Sequence, residues 1–144
     1  MTLFCLDTNV ISAVIDGDEI VKKRWLQAKT EHHGLSISAM TYYEVQRGLD
    51  LPRRARKYGI FRGILAQTQI LMPDLATYDI AAEIYQDLKK NGKLIEDADI
   101  IIAATAMRFG AVLVTRNDKH MKRITGLSLE RWHSKDETED KEQP

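Results

Sequence analysis

The stretch EDADIIIAATAMRFGAVLVT, residues 96–115, reads as a buried helix followed at once by a buried strand. Beyond Asp99 its first part is apolar on every face. The length of the run, its alanines and the terminal Gly110 favour an enclosed helix over a strand. AVLVT (111–115) is a short β-rich run that stops at the polar turn RND, as an internal strand does. The same pairing recurs on the N-terminal side. LFCL (3–6), GLSIS (34–38) and QILMPDL (69–75, with Pro73 near its end) read as strands, and LSLERW (127–132) as a last edge strand. Between them lie helical segments at 9–15, 18–28 with Asp18 as cap, 40–49 and 53–67, the last weakened by Gly59 and Gly63. The segment TYDIAAEIYQDLKKNG (77–92) has Thr77 as its expected N-cap and Asp79 in the first turn. Ile80, Ile84 and Leu88 line one face, and Gly92 is the terminator. Alternating strands and helices predict an α/β fold whose parallel sheet is covered on both faces.

A chain of 144 residues is long enough for one domain with its own core, expected over 1–133, and SKDETEDKEQP (134–144) is expected to be a disordered charged tail. Lys plus Arg and Asp plus Glu stand at 21 each, so net charge argues neither for nor against nucleic acid, and local clusters must decide. Cys5 is the single cysteine, which excludes an intramolecular disulfide and suits a reducing compartment. No signal peptide is read at the N-terminus, and no apolar run nears the roughly 18 residues a bilayer span requires. The expected location is the cytoplasm, with no membrane partner.

Ligands of open parallel sheets bind beyond the carboxyl ends of the strands. Asp7 follows the first strand, Glu44 lies in the helix after the second, Asp99 opens the buried helix, and Asn117 and Asp118 follow the fourth strand. Each also has an ordinary structural reading. Asp7 or Asn9 could cap the next helix, Glu44 fits a capping box with Thr41, and Asp118 fits the cap of a short helix in DKHMKRI. The conjunction of all of them at one sheet end is the functional signal. Within IEDAD, Glu96 and Asp99 share a helical face. Asp97 faces away and suits the N-cap, leaving Asp99 for a pocket.

Clustered oxygen ligands without Cys or His partners suit Mg²⁺ or Mn²⁺ rather than zinc, and ions so held perform phosphoryl chemistry. The four histidines, His32, His33, His120 and His133, form no ligand pair at helical spacing and read as surface residues. Cys5, in mid-strand, reads as an inert buried thiol. Arg47, one turn after Glu44, and Arg116, Lys119, His120, Lys122 and Arg123 after the fourth strand are placed to meet phosphate. Arg53, Arg54, Arg56, Lys57 and Arg62 are equally well read as a solvated helix face.

LDTNVIS (6–12), ISAMTYYEVQRGL (37–49), DADIIIAATAMRFGAVLVTRN (97–117) and RITGLSLERW (123–132) together resemble the ordered signatures of the PIN-domain nucleases. Within that family they resemble the VapC toxins of toxin–antitoxin pairs. The resemblance implies a PIN-like three-layer α/β/α fold with a small, four- to five-stranded, mainly parallel sheet. It implies a Mg²⁺-dependent endoribonuclease, a VapB-like antitoxin as partner, and a homodimer. Carried over by position, Asp7, Glu44 and Asp99 match the acidic triad, and Asn117 falls where the wider family often has Asp. The fourth ligand therefore stays open between Asn117 and Asp118. Asp7 and Asp99 are the expected direct metal ligands, with Glu44, Asp97 and Asp118 as further candidates. Thr8, Asn9 and Thr115 are expected to support the site, with Arg47 and Arg116 toward RNA.

Two other readings remain. A haloacid-dehalogenase-type phosphatase also begins with an aspartate after the first strand, but requires a second one two residues on, where this chain has Asn9. A PIN-like module could instead bind RNA or protein without cutting.

Overall fold

The computed structural model describes residues 1–49 and 54–133. Arg53, at the start of the expected fourth helix, and the tail from Ser134 lie outside the described residues. The chain runs β1 (Leu3–Leu6), α1 (Thr8–Ile15), α2 (Glu19–Thr30), β2 (Gly34–Ser38), α3 (Ala39–Arg47), α4 (Ala55–Leu65), β3 (Gln69–Leu71), α5 (Leu75–Lys90), α6 (Asp97–Arg108), β4 (Val112–Thr115) and β5 (Leu129–Arg131). A 3₁₀ turn, Met121–Arg123, precedes β5.

The five strands form one sheet in the order β3-β2-β1-β4-β5, and every pairing is parallel. Strand alternation sorts the core into two layers. Phe4 and Leu6 of β1 pack with residues of α1, α2 and α4, including Ile11, Trp25 and Phe61. Cys5, between them in sequence, faces the other way among residues of α5 and α6, including Leu88 and Ile102. Enclosing side chains of this size contributes about 1.5–3 kcal/mol each. The helix expected in 96–115 is present, and Gly110 ends it. At φ +65° that residue lets Ala111 N–H reach Ala106 O at 2.9 Å and its own N–H reach Met107 O at 3.2 Å, which turns the chain straight into β4.

Several local expectations are corrected. The strand expected over 69–75 pairs only at Gln69–Leu71, because Asp74 is taken up as the N-cap of α5. Thr77 is not that cap but its reciprocal partner: Asp74 Oδ1 accepts from Thr77 N at 2.9 Å while Asp74 N–H donates to Thr77 Oγ1 at 3.2 Å. The Thr41–Glu44 capping box does not form. Ser38 caps α3 by accepting from Thr41 N at 3.0 Å, which leaves Glu44 in the second turn of the helix and free for other partners. Glu96, not Asp97, is the N-cap of α6, and it makes no side-chain capping bond. Asp118 caps nothing with its side chain; it pairs with Lys122 at 3.3 Å and Arg131 at 4.0 Å.

With β1, β2 and β3 running outward on one side and β4, β5 on the other, the strand order reverses between β1 and β4. The crevice beyond their carboxyl ends is where such a sheet binds ligands. Asp7 stands at that point, its N–H donating to Val114 O of the adjacent strand at 2.8 Å.

Candidate active site

Asp7 is both a cap and something more. It is the N-cap residue of α1, and its backbone carbonyl accepts the first helical bonds from Val10 and Ile11. A capping side chain normally reaches the second or third helical N–H. The Asp7 carboxylate instead accepts from Thr8 N, the first, at 2.8 Å through Oδ1, and from the Thr115 hydroxyl at 2.9 Å through Oδ2. It is only 6% exposed. Burial pushes its pKa up to about 6; the bonds from Thr115 and Thr8 pull it down, and the charges of Asp99 and Glu44 add to the rise.

The neighbouring polar residues hold that carboxylate in one orientation. Asn9 Nδ2 donates to Thr115 Oγ1 at 3.1 Å, and Asn9 Oδ1 accepts from Arg116 N at 3.2 Å, which joins α1 to the end of β4. The Thr115 hydroxyl has one proton, and the charged Asp7 oxygen is a nearer acceptor than Asn117 O at 3.2 Å or Asn9 Oδ1 at 3.4 Å. On the other side, Thr8 Oγ1 donates to Glu44 Oε1 at 2.8 Å and lies 3.1 Å from Thr41 Oγ1. Thr8 thus fixes Asp7 through its backbone and Glu44 through its side chain. Glu44 Oε2 also pairs with Arg47 at 3.6 Å.

Asp99 sits in the first turn of α6, half-buried. Its pKa is raised by burial first, then by the charges of Glu44 and Glu96, against a lowering contribution from His120. Asp7, Glu44 and Asp99 therefore feel one another electrostatically. Asp97 is exposed, and the charge that reaches Asp99 from this turn is that of Glu96. Glu96 and His120, expected on the Asp99 face and toward phosphate respectively, are the neighbours whose charges reach Asp99. The shared helical face brings Glu96 to Asp99, and the position of His120 after β4 brings it to the same carboxylate rather than to phosphate alone. Asn117 is exposed and its side-chain oxygen accepts from Lys119 N at 3.2 Å, so it shapes the turn after β4. Arg131 Nε donates to Arg116 O at 2.9 Å, and Arg116 Nε is enclosed without an acceptor among the described residues.

Among the described residues, no three acid, histidine or cysteine side chains converge closely enough to enclose an ion by themselves. The donor chemistry still fits a hard cation. All the donors are oxygens, the carboxylates repel one another, and Mg²⁺ is commonly held by one or two carboxylates with water and phosphate oxygens completing its shell. Cys5, immediately behind, offers no nucleophile: it is fully enclosed, and burial, aided by the Asp7 charge, pushes its thiol up to about 12.

A family model described as the PIN domain matches residues 4–127. Ribonuclease VapC1 of Methanocaldococcus jannaschii is 35% identical over 108 residues, covering 75% of each chain. A protein of Shigella flexneri named tRNA(fMet)-specific endonuclease VapC is 26% identical over 134 residues, 92% of this chain and 99% of its own. In three dimensions the chain superposes on a chain from VapBC2 of Rickettsia felis, solved bound to a DNA fragment from their promoter. The TM-score is 0.84, with 25% identity over 91% of this chain and 99% of that one. No helix among the described residues is long and apolar enough to cross a membrane.

Proposed function

The chain belongs to the PIN-domain family, and from that premise we propose that it is a metal-dependent endoribonuclease, the toxin of a toxin–antitoxin pair, cutting RNA at the crevice between β1 and β4. The observation that carries this reading is the buried Asp7 carboxylate, gripped by Thr8 and Thr115 and electrostatically joined to Asp99 and Glu44. A fold gains nothing from assembling like charges out of water unless a cation offsets them. Asp7 and Asp99 are the residues to hold Mg²⁺ or Mn²⁺. When bound, such an ion supplies an activated water at neutral pH and positive charge for the leaving oxygen of a phosphodiester.

The chain's own groups set the geometry. Thr115, Thr8 and Asn9 keep Asp7 from turning, and Thr8 keeps Glu44 aimed at the same crevice, where it serves as a further ligand or orients the water. Arg47 and Arg116, flanking the acids from α3 and from the end of β4, are suited to phosphate oxygens. The turn Asn117–Asp118 supplies the fourth polar position of the family pattern. The phosphatase reading loses its second aspartate to Asn9, whose amide is engaged with Thr115 and Arg116.

The likeness to VapC ribonucleases and to VapBC assemblies supports RNA as the substrate and a VapB-like antitoxin as the partner, and pairing of two copies is part of the same proposal. A basic antitoxin side chain laid against Asp7 and Asp99 would compete with the metal. The test is cleavage of cellular RNA by the purified chain with Mg²⁺ and with a chelator, beside Asp7→Asn. Equal cleavage by both proteins sinks the assigned site. No metal-dependent cleavage, together with retained RNA binding, favours the non-cutting module.

A further inference from the structure

Tyr43 lies on α3 directly before Glu44, and its ring is more than half exposed at 56%. A ring this exposed is not held by core packing. Its contact is polar: the Arg47 guanidinium lies over the ring, 5.1 Å from its centroid. The same guanidinium is 3.6 Å from Glu44 Oε2, and Glu44 is joined through Thr8 to Asp7. A continuous path of contacts therefore runs from the acids to the ring. The helix is oriented to match. Met40, one turn before Tyr43, packs into the core layer built on α5 and α6, and α3 lies against α6, which carries Asp99. Tyr43 and Arg47 thus flank Glu44 on the helix that packs against the one carrying Asp99.

We propose that the stacked Tyr43–Arg47 pair is a platform for an unpaired nucleobase next to the scissile phosphate, and that it sets base preference at the cut. Single-stranded RNA is read by splaying bases onto aromatic rings and arginine planes. Arg47 serves both ends of the arrangement, holding the ring in place by cation–π contact and offering charge to the phosphate beside the acids. The inference rests on the nuclease reading and adds to it a named recognition element. Because the ring projects into solvent, its removal leaves the core intact.

The test uses a random-sequence single-stranded RNA pool with Mg²⁺, with cleavage ends read by sequencing, for wild type, Tyr43→Ala, Tyr43→Trp and Arg47→Lys. Stacking on one aromatic ring sets a scale of roughly 10- to 100-fold in substrate binding. Tyr43→Ala is expected to raise KM on that scale and to flatten the base preference beside the cut. Tyr43→Trp should keep the preference, and Arg47→Lys should keep the charge yet weaken it. An abasic nucleotide at the preferred position should harm wild type and leave Tyr43→Ala unaffected. If wild type cuts and Tyr43→Ala cuts the same sites with the same KM, the platform is refuted and the nuclease reading stands. If wild type does not cut at all, the functional reading fails first. If Tyr43→Ala instead lowers the mass measured by light scattering with cleavage pattern unchanged, the ring belongs to a contact between copies and the proposal is overturned.

Discussion

Replacing Asp7 by Asn should make the metal-free protein more stable while destroying its activity. The folded-state pKa of about 6 stands against 3.8 for the unfolded chain. A difference of about two pH units corresponds to about 3 kcal/mol of burial cost carried by the ionised carboxylate at neutral pH. The sign follows from proton binding. Between the two values the folded state holds more of the proton than the unfolded state, so stability falls as pH rises from about 4 to 6 and then levels off. An amide removes the charge but loses a charge-assisted bond. Thr115 would accept from the new amide nitrogen and turn its own proton to Asn117 O, already 3.2 Å away, so that loss is about 1 kcal/mol. The net gain is about 2 kcal/mol, or roughly 4–8 °C in Tm for a chain of this size. Denaturation in a chelator at pH 7.5 reads it directly. Repeating the measurement near pH 4.5 should show most of the gain gone, because wild type is then largely protonated at this position. A variant no more stable than wild type at pH 7.5, or a difference that ignores pH, refutes the account of Asp7.

Added Mg²⁺ should reverse the ranking: wild type gains stability with concentration, by about 2.7 kcal/mol at a hundredfold excess over Kd, while Asp7→Asn and Asp99→Asn stay flat in a thermal-shift titration. Thr115→Val removes a donor that holds the Asp7 pKa down, so the acid limb of the pH–rate profile should move above about 6, and an unmoved limb would contradict the hydrogen-bond assignment. Thr8→Ser should keep activity and Thr8→Ala should lose roughly tenfold or more, since only the hydroxyl reaches Glu44. Cys5 should resist thiol reagents in the native protein and react at the rate of global opening, as measured by labelling across a urea series; fast native labelling would contradict its burial.

The architecture was legible because its strongest signals are local. The all-apolar run after Asp99, closed by Gly110, has few alternatives to a buried helix, and β4 follows from it within two residues. Caps were harder, because Asp74 and Thr77 are both good capping residues, and only their reciprocal bonds decide which one begins α5. The same ambiguity gave Glu44 a second, structural reading, because its spacing from Thr41 imitates a capping box until Ser38 takes the cap. For the site, residue type and position relative to strand ends brought Asp7, Glu44, Asp99 and Thr115 to one crevice. The influence of Glu96 on Asp99 is local to the start of α6, whereas that of His120 depends on how the turn after β4 approaches α6, and no short stretch of sequence encodes that approach.

The two hydrogen bonds on the Asp7 carboxylate come from opposite ends of the chain: Thr8 is its neighbour, whereas Thr115 lies 108 positions away. Order of synthesis therefore becomes a safeguard. A nascent chain exposes Asp7 well before β4, and cannot fix it until β4 has left the exit tunnel and paired alongside β1. Fragments released by premature termination before that strand carry the first acid without its clamp. On the nuclease reading proposed above, the later-made strand of the central pair is the one that arms the site.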